Sequence, residues 1–149
     1  MQEASAAQIV GGWHASAGRM VDRFENFIAW QLAEQLKEAV FAFTSKPPAA
    51  TDFDYCRQIR DSARSAPRNI AEGFGRFYPS ASVPFLRIAL GSLNETLDHL
   101  IDGRQRKFLS EDHYISLRRL TLRAIKALKR LTEYLEGPGG KRFNRRRTF

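Results

Sequence analysis

The side chains able to do chemistry in this sequence are few, and their spacing argues against a reaction centre. Three histidines, His14, His99 and His113, fall far apart. Glu95 and His99 stand four residues apart, close enough to touch on one helix. A carboxylate-bridged di-metal bundle, however, needs two Glu-x-x-His pairs and two further inward glutamates, and the sequence has no such pair. Cys56 falls on an apolar seam, where a small buried hydrophobe is the default; Arg57 and Arg60 flank it in sequence yet lie on another face. Glu95, Asp98 and Asp102 form an acidic row suited to ion pairing with arginines of a neighbouring helix rather than to acid–base work. "GFGR" at residues 73–76 lacks the Lys-Ser/Thr of a phosphate-binding loop and follows no strand. No enzymatic activity, metal or cofactor is expected.

The cations are better organised. At about 100° per residue, Arg57, Arg60, Arg64 and Arg68 share one outward stripe of a helix. Asp61 offers that stripe local pairing, while the planar fork of arginine favours phosphate; both readings stay open. Further along, Arg119, Arg123, Lys126 and Arg130 recur at steps of four, three and four. Taking Leu117 as zero, they fall at roughly 180° to 240°, beside a strip of Ile115, Leu122 and Ile125 at roughly 80° to 160°. A helix with two apolar faces implies either self-association across the second face or a cover from Ile9, Val10 and Trp13 of the N-terminal arm. A third cluster, Lys141, Arg142, Arg145, Arg146 and Arg147, closes the chain among Phe143 and Phe149, as a base-stacking tail or a solubilising one.

Four helices must position these groups. Phe24, Phe27, Ile28, Leu32, Leu36, Val40 and Phe43 recur at three- and four-residue steps until Pro47 and Pro48 stop them. Thr51 or Asp52 caps a second helix whose seam is Cys56, Ile59, Ala63, Ala66 and Ile70. Pro67 is expected to kink it, and Gly73 to supply a left-handed C-terminal cap. The third carries Leu86, Ala89, Leu90, Leu93, Leu97, Leu100 and Ile101 and closes at Gly103. The fourth, from about Ser110, carries Leu117, Leu120, Ala124, Leu128, Leu131 and Leu135. With no strand pattern and modest loops, the fold expected is an all-α, antiparallel up-down four-helix bundle.

With 149 residues, 43% of them hydrophobic, the chain suits one domain with a real core. The expected organisation is an arm over 1–20, the bundle over 21–136 and a basic tail over 137–149. Of the net +8, the tail holds +5 and no acid, so any basic surface on the body comes from patterning. That balance favours a polyanionic partner. One cysteine precludes an internal disulfide, no apolar run approaches the roughly 20 residues of a membrane span, and the first residues lack the basic start of a signal peptide. A cytoplasmic protein without membrane attachment is expected.

Three segments carry a resemblance. "AWQLAEQLKEAVFAFTSKPP", "QIRDSARSAPRNIAEGFGR" and "FLRIALGSLNET" together resemble the four-helix-bundle family of proteins encoded in intervening sequences of bacterial 23S ribosomal RNA genes. The matching positions are Trp30, Gln31 and Ala33; Gln58, Ile59 and Arg60; Ser65, Pro67, Asn69, Ile70, Ala71, Glu72, Gly73, Gly75 and Arg76; and Phe85, Leu86, Ile88, Ala89, Gly91, Ser92, Leu93 and Glu95. Asp61, Ala66 and Thr96 depart from the usual arginine, isoleucine and leucine. The resemblance implies a homopentameric ring with a basic surface or channel, and no catalytic residues. A relative of similar build, the accessory variability determinant of diversity-generating retroelements, binds nucleic acid and partners a reverse transcriptase. Two functions therefore stand as expectations: an oligomeric nucleic-acid-binding protein, RNA before DNA, or a scaffold that docks on a reverse transcriptase.

Overall fold

The structure, a computed structural model, describes residues 23–76 and 78–138. Among them are four α-helices and no strand: α1 (Ile28–Thr44), α2 (Phe53–Gly75), α3 (Pro79–Gln105) and α4 (Glu111–Glu136). Short 3-10 turns over Phe24–Asn26 and Ala49–Thr51 precede α1 and α2. Each helix packs on the next in chain order, and α4 closes against α1. Leu36 and Val40, Ile59, Ala63 and Ile70, Leu86 and Leu93, and Ala124 and Leu128 meet in one core and are almost wholly buried. The apolar periodicity thus reports the inward faces. The strip on α3 is narrower than its spacing implies, since Ile101 is exposed and Leu90 and Leu97 are half-buried.

Local signals set the helix ends. The carboxylate of Asp52 accepts the Tyr55 N–H at 2.9 Å and caps α2, while the Ser110 hydroxyl accepts the His113 N–H at 3.2 Å and caps α4. Each satisfies a donor that the first turn leaves unpaired. Pro79 occupies the first turn of α3, where its missing N–H costs nothing.

The most extensive helix pairing is that of α2 with α3, joined along a seam of small polar residues. The Thr96 and Ser62 hydroxyls lie 2.9 Å apart, those of Ser92 and Ser65 2.7 Å, and Asn69 donates from its amide to the carbonyl and hydroxyl of Ser65. Side chains this short reach one another only when two backbones approach closely. Gly73 belongs to the same seam. It lies inside α2, not at its cap; a β-carbon there would stand 3.2 Å from the Ser82 carbonyl and 3.3 Å from Leu86. The helix ends instead where Arg76 turns extended. Pro67 lies inside α2, which continues through it to Gly75.

Gly103 corrects a second expectation. It lies within α3 and leaves room there for the phenol of Tyr55, which donates to the His99 carbonyl at 2.7 Å; a β-carbon on Gly103 would collide with that phenol oxygen. Burial, with Asp102 nearby, pushes the phenol well above its ordinary pKa. The end of α3 is set four residues on by Lys107, whose φ of 61° is left-handed. The Lys107 N–H bonds back to the Arg104 carbonyl and the Phe108 N–H to that of Gly103, closing the helix. Arg106 then ties this end to α2: it pairs with Asp52 and Asp102, and its guanidinium lies over the rings of Phe108 and Tyr55.

These contacts make stability measurable at named positions. Gly103→Ala destabilises the protein by about 2–3 kcal/mol through overpacking and loss of the Tyr55 bond, and Tyr55→Phe relieves part of that cost in the double variant, as urea denaturation of the three proteins will show. The Tyr55 N–H first, and Arg106 after it, hold the Asp52 carboxyl below its ordinary 3.8. A carboxyl lowered in the folded state contributes stability above that value and loses it as the pH falls through the folded one. Asp52→Asn is therefore less stable than the parent at pH 7, and the gap closes below about pH 4, a convergence that denaturation midpoints across pH report.

Candidate nucleic-acid interface

The cations of α2 and α4 differ in what the fold does with them. On α2, Arg57 meets Asp54 at 3.7 Å and Arg64 meets Asp61 at 3.5 Å, exposed pairs within one helix that add little stability. Arg60 is not an outward charge. It is half-buried, donates to the hydroxyls of Thr44 at 2.8 Å and Ser45 at 3.1 Å, and lies with Arg64 over the ring of Phe41. A long side chain bends across the groove to α1, which an angular projection of α2 alone does not show. Arg68 is exposed and meets no carboxylate among the described residues.

On α4 no acid stands between Asp112 and Glu133, and Arg118, Arg119, Arg123, Lys126, Lys129 and Arg130 all fall in that interval. Five of the six are exposed and Arg130 is half-buried; none meets a carboxylate within 4 Å among the described residues. The ridge of Arg119, Arg123, Lys126 and Arg130 is therefore uncompensated. Arg118 and Lys129, at roughly 100° and 120° from Leu117, widen it on the side of the apolar strip. Sequence reasoning misses these two, although the acid-free run that marks them is visible.

The apolar strip itself is narrower than expected. Ile115 and Leu122 are 43% and 38% exposed, but Ile125 is only 7% exposed and belongs to the core. The buried face of α4 extends past Leu117 through Tyr114 and Thr132 to Ile125, wider than the 60° or so that leucine spacing alone defines. Two outward apolar residues remain, set among cations. Lys141, Arg142, Arg145, Arg146 and Arg147 lie outside the described residues, as do Ile9, Val10 and Trp13.

Of the groups with reactive potential, Cys56 and Asp102 have structural partners. The Cys56 thiol is buried, 3.1 Å from the Ala49 carbonyl, and burial pushes its pKa up, away from a reactive thiolate. Glu95 and His99 lie 3.6 Å apart, too far for a hydrogen bond. Asp102 pairs with Arg106 of its own helix end rather than with an α2 arginine. Among the described residues no cluster of three metal-ligating side chains occurs, and no helix is long and apolar enough to cross a membrane.

Comparison with known proteins bears on the fold. Residues 25–130 match the family model described as 23S rRNA-intervening sequence protein. No curated protein matches the chain. A crystal structure described as a protein of unknown function from the S23 ribosomal protein family of Bacteroides thetaiotaomicron is similar, with a TM-score of 0.66 at 19% identity, over 71% of this chain and 99% of that one.

Proposed function

The chain belongs to the 23S rRNA-intervening sequence protein family, and from that premise we propose that it is a non-enzymatic, cytoplasmic nucleic-acid-binding protein, directed at RNA before DNA. It works as a homo-oligomer of antiparallel four-helix bundles, five being the number the family resemblance implies. The observation that carries the reading is the α4 ridge, a run of cations without carboxylate partners among the described residues. Unpaired guanidinium groups on a rigid helix present bidentate donors to phosphate at no cost in broken ion pairs. Arg68 and the tail cations add contacts, and Ile115 and Leu122 supply the apolar contact between copies. Repetition around an oligomer multiplies weak phosphate contacts into useful avidity.

Phosphate contacts of this kind carry little sequence information. Binding releases counterions, so log affinity falls steeply with log salt. Replacing Arg119, Arg123, Lys126 and Arg130 together by alanine weakens RNA binding to a similar degree for unrelated sequences and flattens the salt slope by about 3. Fluorescence anisotropy over a salt series measures this; an unchanged slope refutes the ridge as the interface. Leu122→Glu shifts the protein toward monomer in sedimentation, and a parent already monomeric at micromolar concentration refutes the assembly.

A further inference from the structure

At the end of the bundle where α1 passes to α2 and α3 to α4, the two connections enclose an open cavity of about 850 Å³, within the range of small-molecule sites. Its wall is apolar and largely ring-shaped: Phe43, Pro47, Pro48 and Phe108 line it with Ile101 and Leu109. Two of those rings are held by neighbours, His113 among them as part of the lining. Phe43 meets His113 edge-on with centroids 5.9 Å apart, and Phe108 is held by Tyr55 at 4.8 Å and by the Arg106 guanidinium.

The charge in this cavity is cationic. Arg104 is engaged at 2.7 Å by Glu111, the one acid of the lining among the described residues. Lys46 and Lys107 also line it, both exposed, and neither meets a carboxylate among the described residues. Lys107 is the residue with φ of 61°. At that position of a helix end glycine is the unstrained choice, and the chain instead carries an ammonium group to the cavity wall. Left-handed backbone at a residue other than glycine is uncommon and clusters at ligand sites.

We propose that this cleft binds a nucleotide, its base against the Phe43 and Phe108 wall and its phosphate between Lys46 and Lys107. The flat rings favour a planar aromatic group, and the two cations without a carboxylate partner among the described residues favour a phosphate. The cleft is separate from the α4 ridge, so neither proposal depends on the other. The same chemistry is offered by a free mononucleotide or by an unpaired nucleotide of an RNA.

Titration of the full chain with a fluorescent adenosine monophosphate analogue tests the cleft. Saturable binding is expected, weakened at least tenfold by Lys46→Ala and by Lys107→Gly, and poorly competed by adenosine without its phosphate. Lys107→Gly removes the ammonium and the backbone strain together, so it melts at or above the parent temperature while losing the ligand, a combination that damage to the fold does not produce. Unaltered binding by both variants overturns the proposal, as does binding of a fatty acid in place of the nucleotide. An oligoribonucleotide with 2-aminopurine at an unpaired position identifies the source: fluorescence quenching that Lys107→Gly abolishes assigns the cleft to RNA, and quenching absent while the mononucleotide binds assigns it to the free ligand.

Discussion

The close approach of α2 to α3 is the constraint on which the rest of the molecule depends. Hydroxyl groups of Ser62, Ser65, Ser92 and Thr96 reach one another directly, and Gly73 lies against the backbone of Ser82. Buried hydroxyls without partners destabilise a fold, and here each finds one across or along the seam. That pairing fixes both the separation and the register of the two helices. With α2 and α3 so placed, Tyr55 falls opposite Gly103, Arg106 falls opposite Asp52, and the cleft end of the bundle takes its shape.

The segment "SARSAPRNIAEGFGR" owes its character to this seam. Ser65 and Gly73 serve packing between helices and Asn69 holds Ser65 from within α2, so these positions of the stretch have structural work. Charge is handled in the opposite way on the two basic helices. On α2, Arg57, Arg60 and Arg64 are drawn into local pairs, onto Phe41 or onto α1 hydroxyls, whereas on α4 the cations from Arg118 to Arg130 meet no carboxylate among the described residues. Counting cations does not separate the two helices; the positions of nearby acids do.

Much of the fold is legible in the sequence because apolar spacing and capping residues are local signals. The seams of Ile59, Ala63 and Ile70 or of Ala124 and Leu128 can be counted, and Asp52 and Ser110 stand where caps belong. Gly73 and Gly103 mislead because a small residue at a helix end and one at a helix crossing look alike in one dimension; only the neighbour that fills the vacant space distinguishes them. Arg60 and Ile125 escape the sequence for a related reason. A helical projection gives direction but neither the reach of a long side chain nor the width of the neighbour that covers it. Lys107 carries no sequence signal, since left-handed backbone at a lysine is set by the tertiary course of the chain.

Arg106 gives the cleft end one further property. A single guanidinium spans the cap of α2, the last turn of α3 and two tilted rings, so fraying of either helix terminus removes contacts from the other. Local opening at one end is thereby coupled to the other. The start of α2 and the end of α3, remote in sequence, are tied at one point, and that point borders the mouth of the cleft.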